Sequence, residues 1–219
     1  MYTLYIGNKN YSSWSLRAWA LMRALDIAFE ERRVLLYRPD SADHLREISP
    51  SGKVPCLHVG KAVVWDTLAI AEYLAERHPG VWPRDANARA WARSVAAEMH
   101  SGFAPLREEM SMNVTLRTKK KPSPAVTANI ERIQQLWTQG RESFGGAGDF
   151  LCGPFGAVDA FWCPVAFRFQ SYGVAPAGAA GAYLQAILRH PAMRAWAPDA
   201  EREPERIPEL DQVQTQAQQ

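Results

Sequence analysis

The spacing of apolar residues changes character once along this chain, between His78 and Asn87. Before that point short β-rich runs alternate with helical patterns. Beyond it almost every apolar stretch repeats at helical spacing. A chain that switches period once in this way predicts a small α/β unit followed by an all-helical unit. His78-Pro79-Gly80 and Trp82-Pro83 supply the break, because proline cannot continue a helix and biases its predecessor toward extended backbone. The expected units are 1–79 and 87–200, with 201–219, rich in Glu, Pro and Gln, as a flexible tail.

Within the first unit, residues 3–6 read as a strand. Residues 15–25 place Leu16, Trp19, Ala20, Met22 and Leu25 on one helical face. Residues 29–36 predict a second strand, interrupted by charge. Cys56–Val59 and Ala62–Trp65 flank Gly60-Lys61, a hairpin signal. Residues 66–77 predict a helix with Asp66 as its N-cap. The order βαβ, a short irregular or helical piece, then ββα gives a mixed sheet: crossovers make parallel neighbours and tight hairpins antiparallel ones. The second unit is expected to hold helices at 87–116, 125–144, 158–172 and 177–188, the later ones separated by glycine-rich breaks at 145–148 and 153–154.

Of 219 residues, 47% are hydrophobic and 22% charged, enough to bury a substantial core. A net charge of +2 with scattered Lys and Arg argues against a nucleic-acid partner, and Lys119-Lys120-Lys121, which runs into Pro122, reads as a solvated loop. No run reaches the roughly 18 apolar residues of a membrane span. The opening MYTLYIGNKN lacks a charged-then-apolar leader, and the odd count of 3 cysteines fits reduced thiols, so a cytoplasmic location is expected. No metal-ligand spacing is present among Cys56, Cys152 and Cys163.

Three segments carry residues suited to chemistry. Tyr11-Ser12-Ser13-Trp14-Ser15-Leu16-Arg17 lies between the first strand and first helix, where free N–H groups favour an anion. A serine hydroxyl there caps the helix or donates to an anion such as a thiolate. Val54-Pro55 opens a strand; a cis bond would turn the Val54 backbone outward toward an extended peptide, whereas a trans bond would only start an edge strand. Asp66-Thr67 caps the following helix and also suits an amino-acid head group, Asp66 for its ammonium and Thr67 for its carboxylate.

Taken together, Ser12 to Arg17, Lys53-Val54-Pro55 and Asp66-Thr67-Leu68-Ala69-Ile70 resemble the cytosolic glutathione transferase superfamily, over about residues 2–198. Ser12-Ser13-Trp14-Ser15-Leu16-Arg17 is most similar to the zeta-like pattern Ser-Ser-Cys-Ser-Trp-Arg. The resemblance implies a thioredoxin-like N-terminal domain that binds glutathione as co-substrate, an all-α C-terminal domain that shapes the electrophile pocket, and a homodimer with a role in detoxification. It implies Ser12 as the catalytic thiolate donor, since the reactive residue commonly stands five before the helix-one arginine, with Ser13 the competitor. Ser12, Ser13, Lys53, Val54, Asp66 and Thr67 are the implied glutathione-binding residues. Gly153-Pro154-Phe155-Gly156-Ala157-Val158-Asp159 matches a structural family mark, with Gly156 standing where relatives carry Ser or Thr.

A free thiol has a pKa near 8.5. One charge-assisted bond from Ser12, with the helix N-terminus, lowers that by about one to two units, and two units correspond to roughly 2.7 kcal/mol. The expected activity is attack of the glutathione thiolate on a small hydrophobic electrophile. The alternatives are a glutathione-dependent isomerase and a non-catalytic binder of glutathione or a hydrophobic ligand; a pure scaffold would have no need of the peptide site. Without cysteine between Ser12 and Arg17, disulfide exchange is disfavoured there. Trp14, where zeta-like relatives carry Cys, argues against maleylacetoacetate isomerase chemistry and is expected to pack on the helical domain. Met99, Phe103, Met110 and Met112 are expected in the core rather than in the pocket wall.

Overall fold

A computed structural model of the chain describes residues 1–119, 121–208, 210 and 211. The N-terminal unit comprises β1 (Tyr2–Ile6), α1 (Ser13–Ala24), β2 (Phe29–Arg33), α2 (Ser41–Ile48), β3 (Cys56–Val59), β4 (Ala62–Trp65) and α3 (Thr67–Ala75). The sheet order is β2-β1-β3-β4. β1 runs parallel to β2 and antiparallel to β3, and β3 is antiparallel to β4, so the sheet is mixed. Leu4 faces Leu57 across the central pair, both fully buried. The charged Phe29–Arg33 run takes an edge position, where its outer side chains stay in water. It ends at Arg33 rather than at residue 36 as its composition predicts.

The helical unit comprises α4 (Ala86–Ser101), α5 (Ala104–Glu109), α6 (Pro124–Phe144), α7 (Ala157–Tyr172), α8 (Gly178–Arg189) and α9 (Pro191–Arg202). Here the structure corrects the single helix expected over 87–116. α4 stops at Gly102, Phe103 is left-handed with φ 61°, and α5 starts afresh with Pro105 in its first turn. A proline ring at 105 clashes with the carbonyl four residues earlier, and a helix-interior glycine costs about 1 kcal/mol. α9 is an element the sequence pattern did not predict; Pro191 opens it and the His190 ring accepts from the Ala192 N–H.

α1 and α7 form the spine of the molecule. All but one residue of α7 is buried, and α1 is buried from Ser15 to Met22, so both are interior helices, with Ser15, Arg17, Asp159 and Arg168 enclosed among apolar side chains. They pack on each other and join the two units. Around α7, Trp137, Trp162, Phe169 and Tyr183 make edge-to-face and tilted contacts of 5.0–5.8 Å. Asp159, wholly buried, accepts from the N–H groups of Leu151 (3.1 Å) and Gly156 (2.9 Å) and from the Tyr183 hydroxyl (2.9 Å). Met99, Met110, Met112 and Phe103 lie in the core, Met112 also reaching the cleft described below.

The segment expected to be a flexible tail is a second correction over its described part. α9 runs to Arg202, and the buried Glu203 carboxylate then accepts from the backbone N–H groups of Lys9 (2.7 Å) and Asn10 (3.1 Å) and from Arg33 (2.9 Å). Ile207 is buried, and the Tyr11 hydroxyl meets Asp211. A polar composition signals a solvated tail unless the fold offers unpaired N–H groups, and the loop after β1 offers two. The rest of that segment, 209 and 212–219, lies outside the described residues, as does Lys120 of the basic cluster.

Candidate functional site

The loop from Gly7 to Ser12 joins β1 to α1, and its backbone is tied on three sides. Ser12 and Tyr11 donate to the Asn8 carbonyl, the Asn10 carbonyl accepts from the Val114 N–H, and Glu203 holds the N–H groups of Lys9 and Asn10. The turn packs tightly: a Cβ on Gly7 would stand 2.5 Å from Leu36 and 3.1 Å from the Ser12 Cβ. Ser12 is the N-cap of α1, yet its hydroxyl does not cap the helix. It lies 2.7 Å from the Ser15 hydroxyl instead, and the Ser15 oxygen in turn accepts from the Gly7 N–H at 3.0 Å. Ser13 occupies the first turn of α1 beside it.

The Val54–Pro55 bond is cis. Ser12, Ser13, Lys53 and Val54 line one side of a cleft of about 640 Å³ between the two units. The opposite side is lined by Arg107, Ser111, Met112 and Arg168 from the helical unit, and Leu210 from the C-terminal segment adds a further wall. Trp14 lines the cleft as well as packing: the Arg17 guanidinium lies over its ring at 4.2 Å and that of Arg107 at 5.0 Å.

Asp66 and Thr67 do not line this cleft. Asp66 caps α3 by accepting from the N–H of Leu68 at 2.8 Å, in a left-handed conformation with φ 73°. Its second oxygen lies 3.3 Å from the His100 Nε2, while the Thr67 hydroxyl lies 3.4 Å from the His100 Nδ1. A neutral ring with its proton on Nε2 satisfies both contacts, with Thr67 donating to Nδ1. Burial pushes the His100 pKa down, Asp66 opposing, with Arg17 and Arg107 pushing further the same way. The His100 ring packs edge-on against Trp14 at 5.1 Å, which links the Asp66-Thr67 pair to the cleft.

Sequence reasoning named Arg17 only as a spacing mark and missed Arg107 and Arg168. All three are buried or half-buried with N–H groups that have no protein partner among the described residues: every guanidinium nitrogen of Arg17, and one terminal nitrogen each of Arg107 and Arg168. The Arg107 fork caps the carboxyl end of α4 at the carbonyls of Met99, His100 and Gly102, and the Arg168 Nε donates to the Met110 carbonyl at 2.8 Å. Burial and mutual repulsion push the Arg168 pKa down to about 9 and hold that of Arg17 well below the ordinary arginine range. Arg107 and Arg168 line the cleft and Arg17 lies against the Trp14 ring that also lines it, and confined cations so placed favour an anion there. The sequence hint was limited to Arg168, which stands in the otherwise apolar run from Phe161 to Phe169; Arg107 stands beside Glu108 and Glu109.

Other chemistry has little footing. Burial raises the pKa of Cys56 and Cys163, and that of Cys152 to about 12. Among the described residues there is no group of three or more His, Cys, Asp or Glu that could hold a metal, and no helix long and apolar enough to cross a membrane. A second hollow of about 680 Å³, between the 79–85 linker and the ends of α6 and α7, is lined by Cys152 and Asp159 and by none of the serines or arginines of the cleft.

Residues 11–77 match the family model for the glutathione S-transferase N-terminal domain. A probable maleylacetoacetate isomerase of Caenorhabditis elegans is 36% identical over 105 residues, 47% of this chain and 48% of that protein. A probable maleylacetoacetate isomerase 2 of Drosophila melanogaster is 28% identical over 115 residues, 50% of this chain and 51% of that protein. The chain thus spans about half the length of the curated relatives it matches. Among solved structures, a glutathione transferase homologue from Burkholderia gl BGR1 with bound glutathione superposes with a TM-score of 0.68 at 22% identity, covering 92% of this chain and 98% of that one. A bacterial maleyl pyruvate isomerase of the zeta class gives 0.65 at 23%, covering 94% and 100%. At such identities the likeness is one of fold, a thioredoxin-like domain followed by an all-α domain.

Proposed function

We propose that this chain, whose residues 11–77 match the glutathione S-transferase N-terminal domain, is a glutathione-dependent enzyme of the cytosolic glutathione transferase superfamily whose Ser12 stabilises the glutathione thiolate for attack on an acidic electrophile. The observation that carries the reading is that Ser12, Val54 and Arg168 line one cleft. In this account the backbone N–H and C=O of Val54 pair with the cysteinyl unit of glutathione. Asp66 meets the γ-glutamyl ammonium, Thr67 and the α3 N-terminus meet its carboxylate, and Lys53 supplies a cation at the peptide's edge.

Ser12 stays protonated and donates to sulfur, so no general base is required. The thiolate adds to an electron-poor carbon of the acceptor. Departure of a leaving group then gives a conjugate. If sulfur leaves instead after bond rotation, the product is an isomer and glutathione is regenerated. The arginine wall changes the expected acceptor from a purely hydrophobic electrophile to one bearing carboxylate. Charge that develops on the acceptor as sulfur adds falls beside Arg107 and Arg168, where confined cations stabilise it most. The same wall supports isomerisation as the second reading, in keeping with the names of the curated relatives.

The test is turnover with glutathione on three acceptors: an aromatic halide, an unsaturated cis keto diacid, and its neutral diester. The diacid is expected to react fastest, and Ser12→Ala to raise the pKa of the bound thiol. Equal rates on diacid and diester would remove the arginines from acceptor binding. An unchanged thiolate titration in Ser12→Ala would remove Ser12 from its role. Glutathione binding that survives both Asp66→Ala and Thr67→Ala would sink the head-group assignment.

A further inference from the structure

The arginines around the cleft lack the partner that enclosed cations ordinarily have. Among the described residues, no carboxylate stands within salt-bridge distance of Arg17, Arg107 or Arg168. The carboxylate that Arg17 feels, that of Asp66, is already engaged by the α3 N-terminus and lies against His100. An arginine taken out of water is almost always paired, because an uncompensated charge there is costly. At this site an aromatic ring stands where a counter-ion would.

The arrangement is built from short-range and long-range parts. Trp14 and Arg17 stand three residues apart on α1, so their side chains share a helix face. The Arg17 guanidinium lies over the Trp14 ring, 4.2 Å from its centroid. α5 brings Arg107 over the same ring at 5.0 Å, and Phe161 of α7 meets Arg17 at 5.0 Å. The ring is itself held in place: His100 of α4 packs against it at 5.1 Å, nearly perpendicular. Trp14 is thus where a cation of the N-terminal unit meets a cation of the helical unit. Burial pushes the pKa of both arginines down, and their mutual repulsion adds to the effect on Arg17. The negative face of an indole opposes both effects by attracting each guanidinium.

A ring differs from a carboxylate in one respect that matters to the cleft. A carboxylate stabilises a guanidinium by cancelling its charge, so little field is left for anything else. A ring carries no net charge, and the cations that it holds keep theirs. Trp14 and Arg107 both line the cleft, so the charge kept there acts on whatever the cleft binds. We propose that Trp14 is a specificity-determining residue: it holds Arg17 and Arg107 without neutralising them, and so preserves the positive charge that selects a carboxylate-bearing acceptor. The inference rests on the reading of the arginine wall as the acceptor site and adds to it the side chain that keeps the wall charged. Plain packing between the two units would need only bulk at this position, and a flexible apolar side chain would supply it.

The experiment compares kcat/KM, with glutathione, for an unsaturated cis keto diacid and its neutral diester. The proteins are wild type, Trp14→Met, Trp14→Phe, Arg107→Met and the Trp14→Met/Arg107→Met double variant, with melting temperature measured alongside. Trp14→Met fills much of the space without a π face. Its diacid-to-diester ratio is expected to fall about 10-fold, the order of one desolvated cation–π contact, mostly through the KM for the diacid. Trp14→Phe keeps a ring and should retain most of the ratio. In the Arg107→Met background, Trp14→Met should cost less of the ratio than it costs alone. Trp14→Leu serves in place of Trp14→Met if that variant does not fold. A ratio that survives loss of the ring, whatever happens to the melting temperature, would overturn the inference and leave Trp14 a packing residue. So would a Trp14→Phe ratio no better than that of Trp14→Met, or a Trp14→Met loss just as large without Arg107. Equal wild-type rates on diacid and diester would instead sink the reading of the arginine wall itself.

Discussion

Replacing Glu203 by alanine removes the carboxylate that ties the C-terminal segment to the backbone N–H groups of the loop before Ser12. Its oxygens accept from the backbone N–H of Lys9 at 2.7 Å and of Asn10 at 3.1 Å, both buried, and from Arg33 at 2.9 Å. Each N–H left without an acceptor costs about 1–3 kcal/mol. Arg33 is partly exposed and recovers water, so its loss adds little. The sum is about 2–6 kcal/mol, and at about 2–4 °C per kcal/mol for a chain of this size the melting temperature should fall by at least about 4 °C. Glu203→Gln keeps one acceptor oxygen but turns an amide against the second N–H, so it should lose part of that amount. Thermal unfolding followed by circular dichroism reads the shift, and glutathione titration reads the loop, whose loosening should weaken binding in the alanine variant. A melting temperature within 1 °C or so of wild type, with unchanged binding, would refute the idea that this carboxylate orders the Ser12 loop.

Arg168→Met should raise the KM for a carboxylate-bearing acceptor about 10- to 100-fold, the worth of one charge-assisted bond, without lowering the melting temperature, because it also removes an incompletely paired buried cation. Equal losses in steady-state kinetics on acidic and neutral acceptors would contradict this. Asp66→Asn should keep α3 capped, since Asn caps as well as Asp, yet weaken glutathione binding about 10-fold by calorimetric titration; unaltered affinity would leave Asp66 a cap alone. Asp159 links stability to pH. Burial pushes its pKa up to about 6, above the roughly 3.9 of an unfolded chain, so between those values the folded protein holds a proton the unfolded chain has released. Its contribution is therefore greatest below about pH 4 and declines by about 3 kcal/mol as pH rises through 6. Asp159→Asn lacks this titration, so the stability gap between wild type and variant, from denaturant unfolding, should be wider at pH 4.5 than at pH 7.5; a constant gap would refute the shifted pKa.

The elements that position the site were legible because local chemistry specifies them. The hairpin at Gly60-Lys61, the Asp66 cap and the helix after Ser12 each follow from a turn or capping preference that acts within a few residues. The break at Gly102 was written in the sequence too, in Gly102 and Pro105, but apolar periodicity ran across it and masked it. The residues that were not legible act over long separations. Glu203 meets a loop 193 and 194 residues away, and nothing in a Glu- and Pro-rich stretch announces a buried carboxylate. Arg107 stands beside Glu108 and Glu109, where side chains ordinarily face water, and Arg168 is a lone cation between Phe167 and Phe169; the packing of α5 on α6 and of α7 on α1 encloses them.

The two halves of the cleft divide the proposed chemistry in a way that neither could perform alone. The thioredoxin-like half offers sulfur one hydroxyl and the open end of α1, local interactions that act on the thiolate at short range. The helical half offers positive charge that acts on everything in the cleft, the thiolate included. That charge is held at a cost, shared by Arg17 of α1: Arg17 is 1% exposed, is repelled by Arg107 and Arg168, and is compensated within the protein by the aromatic faces of Trp14 and Phe161 and by the distant pull of Asp66. A cluster so arranged gains most when negative charge moves closest to it. In the proposed reaction the charge starts on sulfur, beside Ser12, and migrates onto the acceptor as the carbon–sulfur bond forms. The arginines are therefore complementary to the later distribution more than to the earlier one, which is the condition for lowering a barrier rather than merely tightening binding.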